Sequence, residues 1–128
     1  MNLKPLSQIV FLDVKNMHEA GLFFDEVLGL TKVMDEGWAA VWKISGKAFI
    51  GVVERKDKAV QNTGILISIT VDNIEEIHSQ FSKLSLKDLT PISKVKDIPM
   101  SSFFFKGPED YRFEIQEFDS PKLRSIFE

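Results

Sequence analysis

Apolar and polar positions along the chain follow two periods, and the two periods alternate. Alternation over five to eight residues predicts a strand, and an apolar stripe with a period near 3.6 predicts a helix. The order is strand, helix and three strands, followed by the same series again. The first series has predicted strands at 8–14, 31–35, 38–44 and 47–54 and a helix at 17–28. The second has predicted strands at 65–71, 91–96, 100–106 and 111–118 and a helix at 73–84.

The second series repeats the first at an offset of 57 residues. Asn16 lies three residues before Glu19, and Asn73 three residues before Glu76, so each helix is predicted to begin with a capping box. The sequence therefore predicts an α+β fold of two tandem βαβββ modules, about 6–57 and about 64–118, and a tail at 119–128. The matched positions are Val14 and Val71, Asn16 and Asn73, Met17 and Ile74, Ala20 and Ile77, Phe24 and Phe81, and Val27 and Leu84.

Composition narrows the class of protein. The chain has 128 residues, 44% of them hydrophobic, with no cysteine, a net charge of -3 and eleven Phe beside one Tyr. The absence of cysteine excludes thiolate catalysis and cysteine-bound zinc or iron-sulfur clusters. The mild acidity argues against a nucleic acid partner, and the short apolar runs argue against a membrane-spanning helix or a signal segment. We therefore expect a cytoplasmic protein.

Two segments carry a resemblance to a known family. They are VKNMHEAGLFFDEVLGL, in which Phe23 and Phe24 precede Leu28-Gly29-Leu30, and the closing GPEDYRFEIQEF. Both resemble the vicinal oxygen chelate superfamily, which contains glyoxalase I, bleomycin-resistance proteins and extradiol dioxygenases. The resemblance covers about 6–118 and implies one domain over 1–128, a curled mixed sheet around a ligand cup, and a homodimer. It does not fix the activity, since the superfamily includes isomerases, lyases, dioxygenases and binders.

Strand alternation assigns the side chains of module one to two faces. A two-residue turn at Ser45-Gly46 would pair Trp42 with Phe49 and Ala40 with Gly51. Aromatic side chains then surround a floor of small residues, although such side chains are typical of cores as well as sites. The predicted ligand-binding residues of module one are Phe11, Asp13, Trp38, Trp42 and Phe49, with a strand end in solvent as the alternative for Asp13.

The same procedure applies to module two. A turn at Gly107-Pro108-Glu109-Asp110 would pair Phe105 with Arg112 and Phe103 with Glu114, which leaves Phe104 facing the helix. The assignment depends on register, because a slip of one residue exchanges the faces of a strand. The predicted ligand-binding residues of module two are Ser68, Phe103, Phe105, Arg112 and Glu114, and Leu66, Thr70 and Gln116 are predicted to share their face.

The resemblance also implies where a divalent metal ion would bind. Its four positions fall on Ile9, Gly51, Leu66 and Glu114, and only Glu114 has a ligating group. The two histidines, His18 and His78, lie on the predicted helices. One carboxylate would hold an ion weakly, so we expect no metal ion and no other cofactor, and Glu114 is expected to form hydrogen bonds or an ion pair with Arg112.

No other catalytic constellation is present: there is no Gly-x-Ser-x-Gly motif and no phosphate-binding glycine loop. The sequence therefore predicts a metal-free small-molecule binding protein resembling the bleomycin-resistance branch, with an aromatic or amphipathic ligand anchored by Asp13, Arg112 and Glu114. One alternative is a glyoxalase-like lyase or isomerase, or a dioxygenase, with a divalent metal ion. The other is a regulatory domain whose cup is filled by its own side chains. In the tail, Ile126 and Phe127 either dock on a partner subunit or belong to a frayed terminus.

Overall fold

The structure is a computed structural model that describes all 128 residues, and they form two compact units, Met1–Gln61 and Asn62–Glu128. The first unit has one four-stranded sheet of order β1-β4-β3-β2, in which β1 is parallel to β4 and the other pairs are antiparallel. Its elements are β1 (Gln8–Val14), α1 (Met17–Leu22), a π-helical continuation of α1 (Phe23–Val27), β2 (Thr31–Asp35), β3 (Ala39–Ser45) and β4 (Ala48–Glu54).

The second unit repeats this arrangement with a sheet of order β5-β8-β7-β6, and β5 is parallel to β8. Its elements are β5 (Leu66–Thr70), α2 (Ile74–Phe81), β6 (Ser93–Lys94), β7 (Met100–Lys106), a short 3-10 turn (Pro108–Asp110), β8 (Arg112–Phe118) and α3 (Pro121–Phe127). The predicted α+β fold with two βαβββ series is confirmed.

The largest difference in element length is at β6, which was predicted over 91–96 and covers two residues. Pro91 has no N–H to donate to a neighbouring strand, and this interrupts the ladder. The segment before it still follows β7, because the Lys106 N–H donates to the Lys87 carbonyl at 2.9 Å and the Thr90 N–H donates to the Phe104 carbonyl at 2.9 Å.

Each helix is tied to its sheet through a carboxylate at the end of the last strand. The Met17 N–H donates to Glu54 Oε2 at 3.1 Å, and the Ile74 N–H donates to Glu117 Oε1 at 3.0 Å. Asn16 also caps α1, since its Oδ1 accepts the Glu19 N–H at 3.0 Å. Asn73 is the N-cap residue of α2, as predicted, but its side chain makes no capping hydrogen bond, and its Nδ2 donates to Glu76 Oε2 at 3.4 Å instead. Both units therefore share a hydrogen bond that joins a glutamate of the last strand to the first residue of the helix.

The register of the first long hairpin differs from the prediction by one residue. The turn is Gly46-Lys47, closed by the pair Ser45 and Ala48, and the register then shifts between Lys43 and Ser45. In the body of the hairpin Trp42 pairs with Ile50 rather than with Phe49. A shift of one residue exchanges the two faces of β3 relative to β4.

The second long hairpin is shifted in the same way. Its loop is Gly107–Tyr111, five residues rather than four, and Glu109 and Asp110 within it adopt positive φ angles of 56° and 59°. As a result Lys106 pairs with Arg112, and Phe104 pairs with Glu114. The faces of β7 are therefore the reverse of those predicted, while the faces of β5 and β8 are as predicted.

Three predicted cup residues lie in the helix-facing cores as a consequence. Trp42 is buried, with its ring centroid 4.9 Å from that of Phe24, and its Nε1 donates to Asp25 Oδ1 at 2.7 Å. Phe103 and Phe105 are buried against Phe81 of α2, with centroid distances of 5.9 Å and 5.4 Å. Their predicted position on the cup face is wrong because β3 and β7 are turned over.

The tail forms α3 and folds back on its own unit, so a frayed terminus is ruled out. Ser120 accepts the Leu123 N–H at 3.1 Å, and the rings of Phe118 and Phe127 stack at 4.9 Å.

None of the helices has the length and apolar character needed to cross a bilayer.

The two tryptophans provide a test of the β3 register. Trp42 is buried, whereas Trp38 lies just before β3 and is 63% exposed. We expect acrylamide to quench the emission of a Trp42→Phe protein, in which only Trp38 emits, several-fold more strongly than that of a Trp38→Phe protein. Equal quenching of the two variants would contradict the burial of Trp42 against α1.

Candidate ligand-binding face of the second unit

The side of the second sheet away from α2 is called the open face below, and strand pairing arranges its side chains in rows. Neighbouring strands are about 4.8 Å apart, and rows two residues apart along a strand are separated by about 7 Å. Across β5, β8 and β7 the rows are Leu66, Arg112 and Lys106; Ser68, Glu114 and Phe104; and Thr70, Gln116 and Ser102. In these rows the face combines one anion, two basic side chains, one aromatic ring, one leucine and a set of hydroxyl and amide groups.

Glu114 occupies the centre of the open face, and its side chain is almost inaccessible. The residue is 7% exposed, and its Oε1 accepts a hydrogen bond from the Ser68 hydroxyl. It forms no ion pair with a Lys or Arg of the chain, so the predicted pairing with Arg112 is absent. A buried carboxylate is normally paired or held by several hydrogen bonds, because desolvation of an unpaired charge is costly.

Arg112 lies over an aromatic ring instead. Its guanidinium carbon is 5.9 Å from the centroid of the half-buried Phe104 ring, a cation–π arrangement. A cleft of about 300 Å³ adjoins this pair and is lined by Asp88, Thr90, Phe104, Phe105, Lys106 and Arg112. Lys106 pairs with Asp88 at 3.2 Å, so Arg112 is the basic side chain of this cleft that has no carboxylate partner. Arg112 and Glu114 thus share a face without neutralising each other.

The third row holds a buried hydroxyl without a partner. Gln116 Nε2 donates to Thr70 Oγ1 at 3.0 Å, whereas Ser102 is 1% exposed and its Oγ has no hydrogen-bond partner within the chain. An unsatisfied buried hydroxyl costs about 1–3 kcal/mol, so this position is polar for a reason other than stability.

The first unit presents a different surface at the equivalent positions. Phe11 and Gly51 form the cross-strand pair that corresponds to Ser68 and Glu114, since both pairs join the first and last strands of their modules. A Cβ atom built on Gly51 would lie 2.7 Å from the Phe11 ring, so the ring covers the glycine. The floor predicted to be open at Gly51 is therefore filled by Phe11.

The other predicted residues of the first unit lie at its margins. As predicted, Phe49 lies on the same face as Phe11, and its side chain is half-buried. Asp13 is also on this face, where it is exposed and lies 3.4 Å from Arg55 Nε. Trp38 lies outside the strands, and its carbonyl accepts the Glu54 N–H at 2.9 Å.

The residues at the metal positions implied by the resemblance do not fit a metal ion. Ile9, Gly51 and Leu66 have no donor atom, and no group of three or more His, Asp or Glu side chains is close enough to share an ion. His18 is exposed on α1, and His78 Nε2 donates to the Thr90 carbonyl at 2.9 Å. Glu114 is therefore left as an isolated carboxylate rather than one ligand of a set.

Two larger clefts lie at the helices, and their charged groups are largely paired. One, of about 440 Å³, contains Asp25, bonded to Trp42, and Asp35, bonded to Lys32 at 2.9 Å. The other, of about 640 Å³, lies at the start of α2 and contains Glu117, which accepts the Ile74 N–H. These hydrogen bonds and ion pairs connect elements of the fold, so their carboxylates are already occupied.

Two surface ion pairs shift the pKa values of their members. The hydrogen bond from Lys87 lowers the pKa of the Asp110 carboxyl, and the same contact raises the pKa of Lys87. The Lys32 ammonium likewise lowers the pKa of Asp35. Lys87 and Asp110 join the segment before β6 to the loop between β7 and β8, and so help to fix the edge of the open face.

Comparisons with known proteins identify the fold. No family model and no curated protein matches the sequence. Among solved structures, an integron cassette protein from the Halifax Harbour sewage outfall metagenome is 20% identical, with a TM-score of 0.75 over 91% of this chain and 100% of that one. A lactoylglutathione lyase from Agrobacterium tumefaciens is 17% identical, with a TM-score of 0.70 over 88% of this chain and 94% of that one.

A third structure is the bleomycin-binding protein from Streptomyces verticillus in complex with copper(II)-bleomycin. It is 15% identical, with a TM-score of 0.69 over 89% of this chain and 97% of that one. At these identities the likeness establishes the fold. The chain therefore has the glyoxalase/bleomycin-resistance fold that the resemblance of its sequence segments predicted.

Phe104 and Ser102 lie on the open face, although neither was predicted to be a site residue. Both are on β7, and Phe104 was placed on the helix side because a four-residue loop was predicted. An available signal was the hydroxyl pair Ser101-Ser102, because two serines beside a buried apolar strand imply that one of them faces a polar surface.

The isolated carboxylate of Glu114 makes a prediction about stability. A Glu114→Gln substitution keeps the shape and the acceptor for Ser68 and removes the buried charge, so we expect the free energy of unfolding to rise by about 1–2 kcal/mol. Urea denaturation measures it. Ser68→Ala should lower the free energy by about 1–3 kcal/mol, since it removes the hydrogen bond to a buried charge.

The matched control is Glu75→Gln on the exposed surface of α2, which should change the free energy by less than about 0.5 kcal/mol. A Glu114→Gln protein less stable than the Ser68→Ala protein would show that the charge is compensated in the fold.

Proposed function

We propose that this protein binds a small aromatic or amphipathic organic molecule on the open face of its second unit, without a metal ion. The observation that carries the proposal is the buried Glu114 carboxylate, which has one hydrogen bond and no ion pair. Beside it lies an aromatic ring with an unpaired guanidinium above it. A largely buried carboxylate without an ion pair is typical of a functional site.

The Phe104 ring and Arg112 supply the surface for the flat part of a ligand. Arg112 is exposed, so its side chain can move to cover a ring that stacks on Phe104. The adjoining cleft of about 300 Å³ is at the small end of the volumes of ligand pockets. The size favours a molecule with one or two rings.

Binding is favoured over catalysis by the groups on this face. No histidine or cysteine side chain lies in its rows, and a lone carboxylate without a positioned partner is not a recognised catalytic set. A metal-dependent lyase, isomerase or dioxygenase would need donors at Ile9, Gly51 and Leu66. The similarity in fold to a bleomycin-binding protein supports a binding role.

The remaining predicted features rest on the sequence argument. Phe11 and Phe49 give the first unit an apolar face, and a contribution of these residues, of Asp13 and of Trp38 to binding stays a prediction. A homodimer and a cytoplasmic location are also predictions.

Binding at the open face can be measured by NMR spectroscopy. On titration of labelled protein with 2-naphthol, a flat neutral probe, we expect saturable shifts in the amide signals of Ser68, Phe104 and Glu114. Phe104→Ala should weaken the affinity about tenfold or more, because it removes the ring on which the probe stacks. Ile126→Ala, which removes an exposed apolar side chain on α3, is the control and should leave the affinity unchanged.

Saturable shifts confined to residues outside the open face would contradict the proposed site. Purified protein that retains about one tightly held divalent ion per chain would instead support the metal-dependent alternative.

A further inference from the structure

We infer that the ligand carries a primary ammonium group that pairs with Glu114, so that an organic cation takes the place of the metal ion implied by the fold. The inference rests on the proposed function and specifies the chemical class of ligand: an arylalkylamine, with its ring on Phe104 and its nitrogen at Glu114.

The first step is the charge. One oxygen of the Glu114 carboxylate accepts the Ser68 hydroxyl, and the other makes no hydrogen bond within the chain. Arg112 is on the same face but lies over Phe104, and Lys106 is paired with Asp88. The chain therefore supplies one neutral donor to the buried Glu114 carboxylate, and a cation from a ligand would provide the missing ion pair.

The second step excludes a divalent metal ion as that cation. Such an ion needs several oxygen or nitrogen ligands, and Glu114 is the single carboxylate in the rows of the open face. Its neighbours are hydroxyl and amide groups together with the Phe104 ring. One carboxylate gives a divalent ion too few charged ligands for tight binding, whereas hydroxyl and amide oxygens are suitable partners for the N–H groups of an ammonium.

The third step concerns the hydrogen bonds of the nitrogen. An ammonium has three N–H donors, and a carboxylate uses one or two of them. Ser102 lies diagonally across from Glu114 on the neighbouring strand, and its buried hydroxyl has no partner within the chain. A nitrogen at Glu114 accounts for an anion and a hydroxyl that the fold leaves unsatisfied.

The fourth step is the spacing of ring and nitrogen. Phe104 and Glu114 are directly opposed on β7 and β8, and opposed side chains start about 5 Å apart. An ammonium and a ring joined by two carbon atoms can reach both groups. Arg112 is one row away and exposed, so solvent weakens its repulsion of the ligand ammonium. The repulsion that remains favours an orientation in which the nitrogen points toward Glu114.

The experiment compares 2-phenylethylamine with its neutral isostere 2-phenylethanol at neutral pH, by NMR titration of the labelled protein. We expect the amine to bind the wild-type protein at least about tenfold more tightly than the alcohol, with the largest shifts at Ser68, Ser102 and Glu114. Glu114→Gln should remove the difference between the probes and preserve the affinity for the alcohol. Glu75→Gln should behave as the wild type does.

Equal affinities of the two probes for the wild-type protein would overturn the inference while leaving the proposed binding site intact. A preference for the amine that persists in Glu114→Gln would also overturn it. Absence of binding of both probes at the open face would contradict the inference and count against the proposed function. The protein is also titrated with Mn²⁺. Tight, saturable broadening of the NMR signals around Glu114 would establish a metal site instead and overturn the inference.

Discussion

The pairing of Phe104 with Glu114 on β7 and β8 determines which side chains lie on the open face of the second sheet. In this register Phe103 and Phe105 pack on Phe81, and Phe104 is left on the open face beneath Arg112. A register shifted by one residue would place two phenylalanines around Glu114. The same hydrogen-bond ladder therefore fixes the aromatic core and the chemical character of the candidate site.

The two units show how one scaffold supports two surfaces. Both tie their helix to the sheet through a glutamate at the end of the last strand, Glu54 or Glu117. At the equivalent pair on the opposite side of the sheet, one unit has a ring over a glycine and the other has a hydroxyl bonded to a carboxylate. The contacts that hold the fold are repeated, while the pair on the side away from the helix differs, as expected if one surface has a packing role and the other a binding role.

Most of the fold was predictable from the sequence, because strand and helix periods are local and the repeat shows them twice. The faces of β1, β5 and β8 were also predictable, since each has a clear apolar set on one side. The faces of β3 and β7 were not. The sequences WAAVW and FFF place apolar residues on both sides, so alternation gives no signal and the assignment depends on the turn. In the loop before β8, Glu109 and Asp110 adopt positive φ angles that favour glycine, which sequence reading does not anticipate. The burial of Glu114 without an ion pair could not be predicted either, because it depends on side chains of β5 and β7 that are distant in the sequence.

Disulfide trapping of the β7–β8 register tests this account most directly, and the chain suits it because it contains no cysteine. Lys106 and Arg112 are directly paired and share a face, so a Lys106→Cys/Arg112→Cys protein should form an intramolecular disulfide readily under mild oxidation. In a Phe105→Cys/Arg112→Cys protein the two Cβ atoms point to opposite faces, so no such disulfide should form. Efficient trapping of the second pair and not of the first would show that the register is shifted by one residue, and would contradict the site built on Phe104 and Glu114.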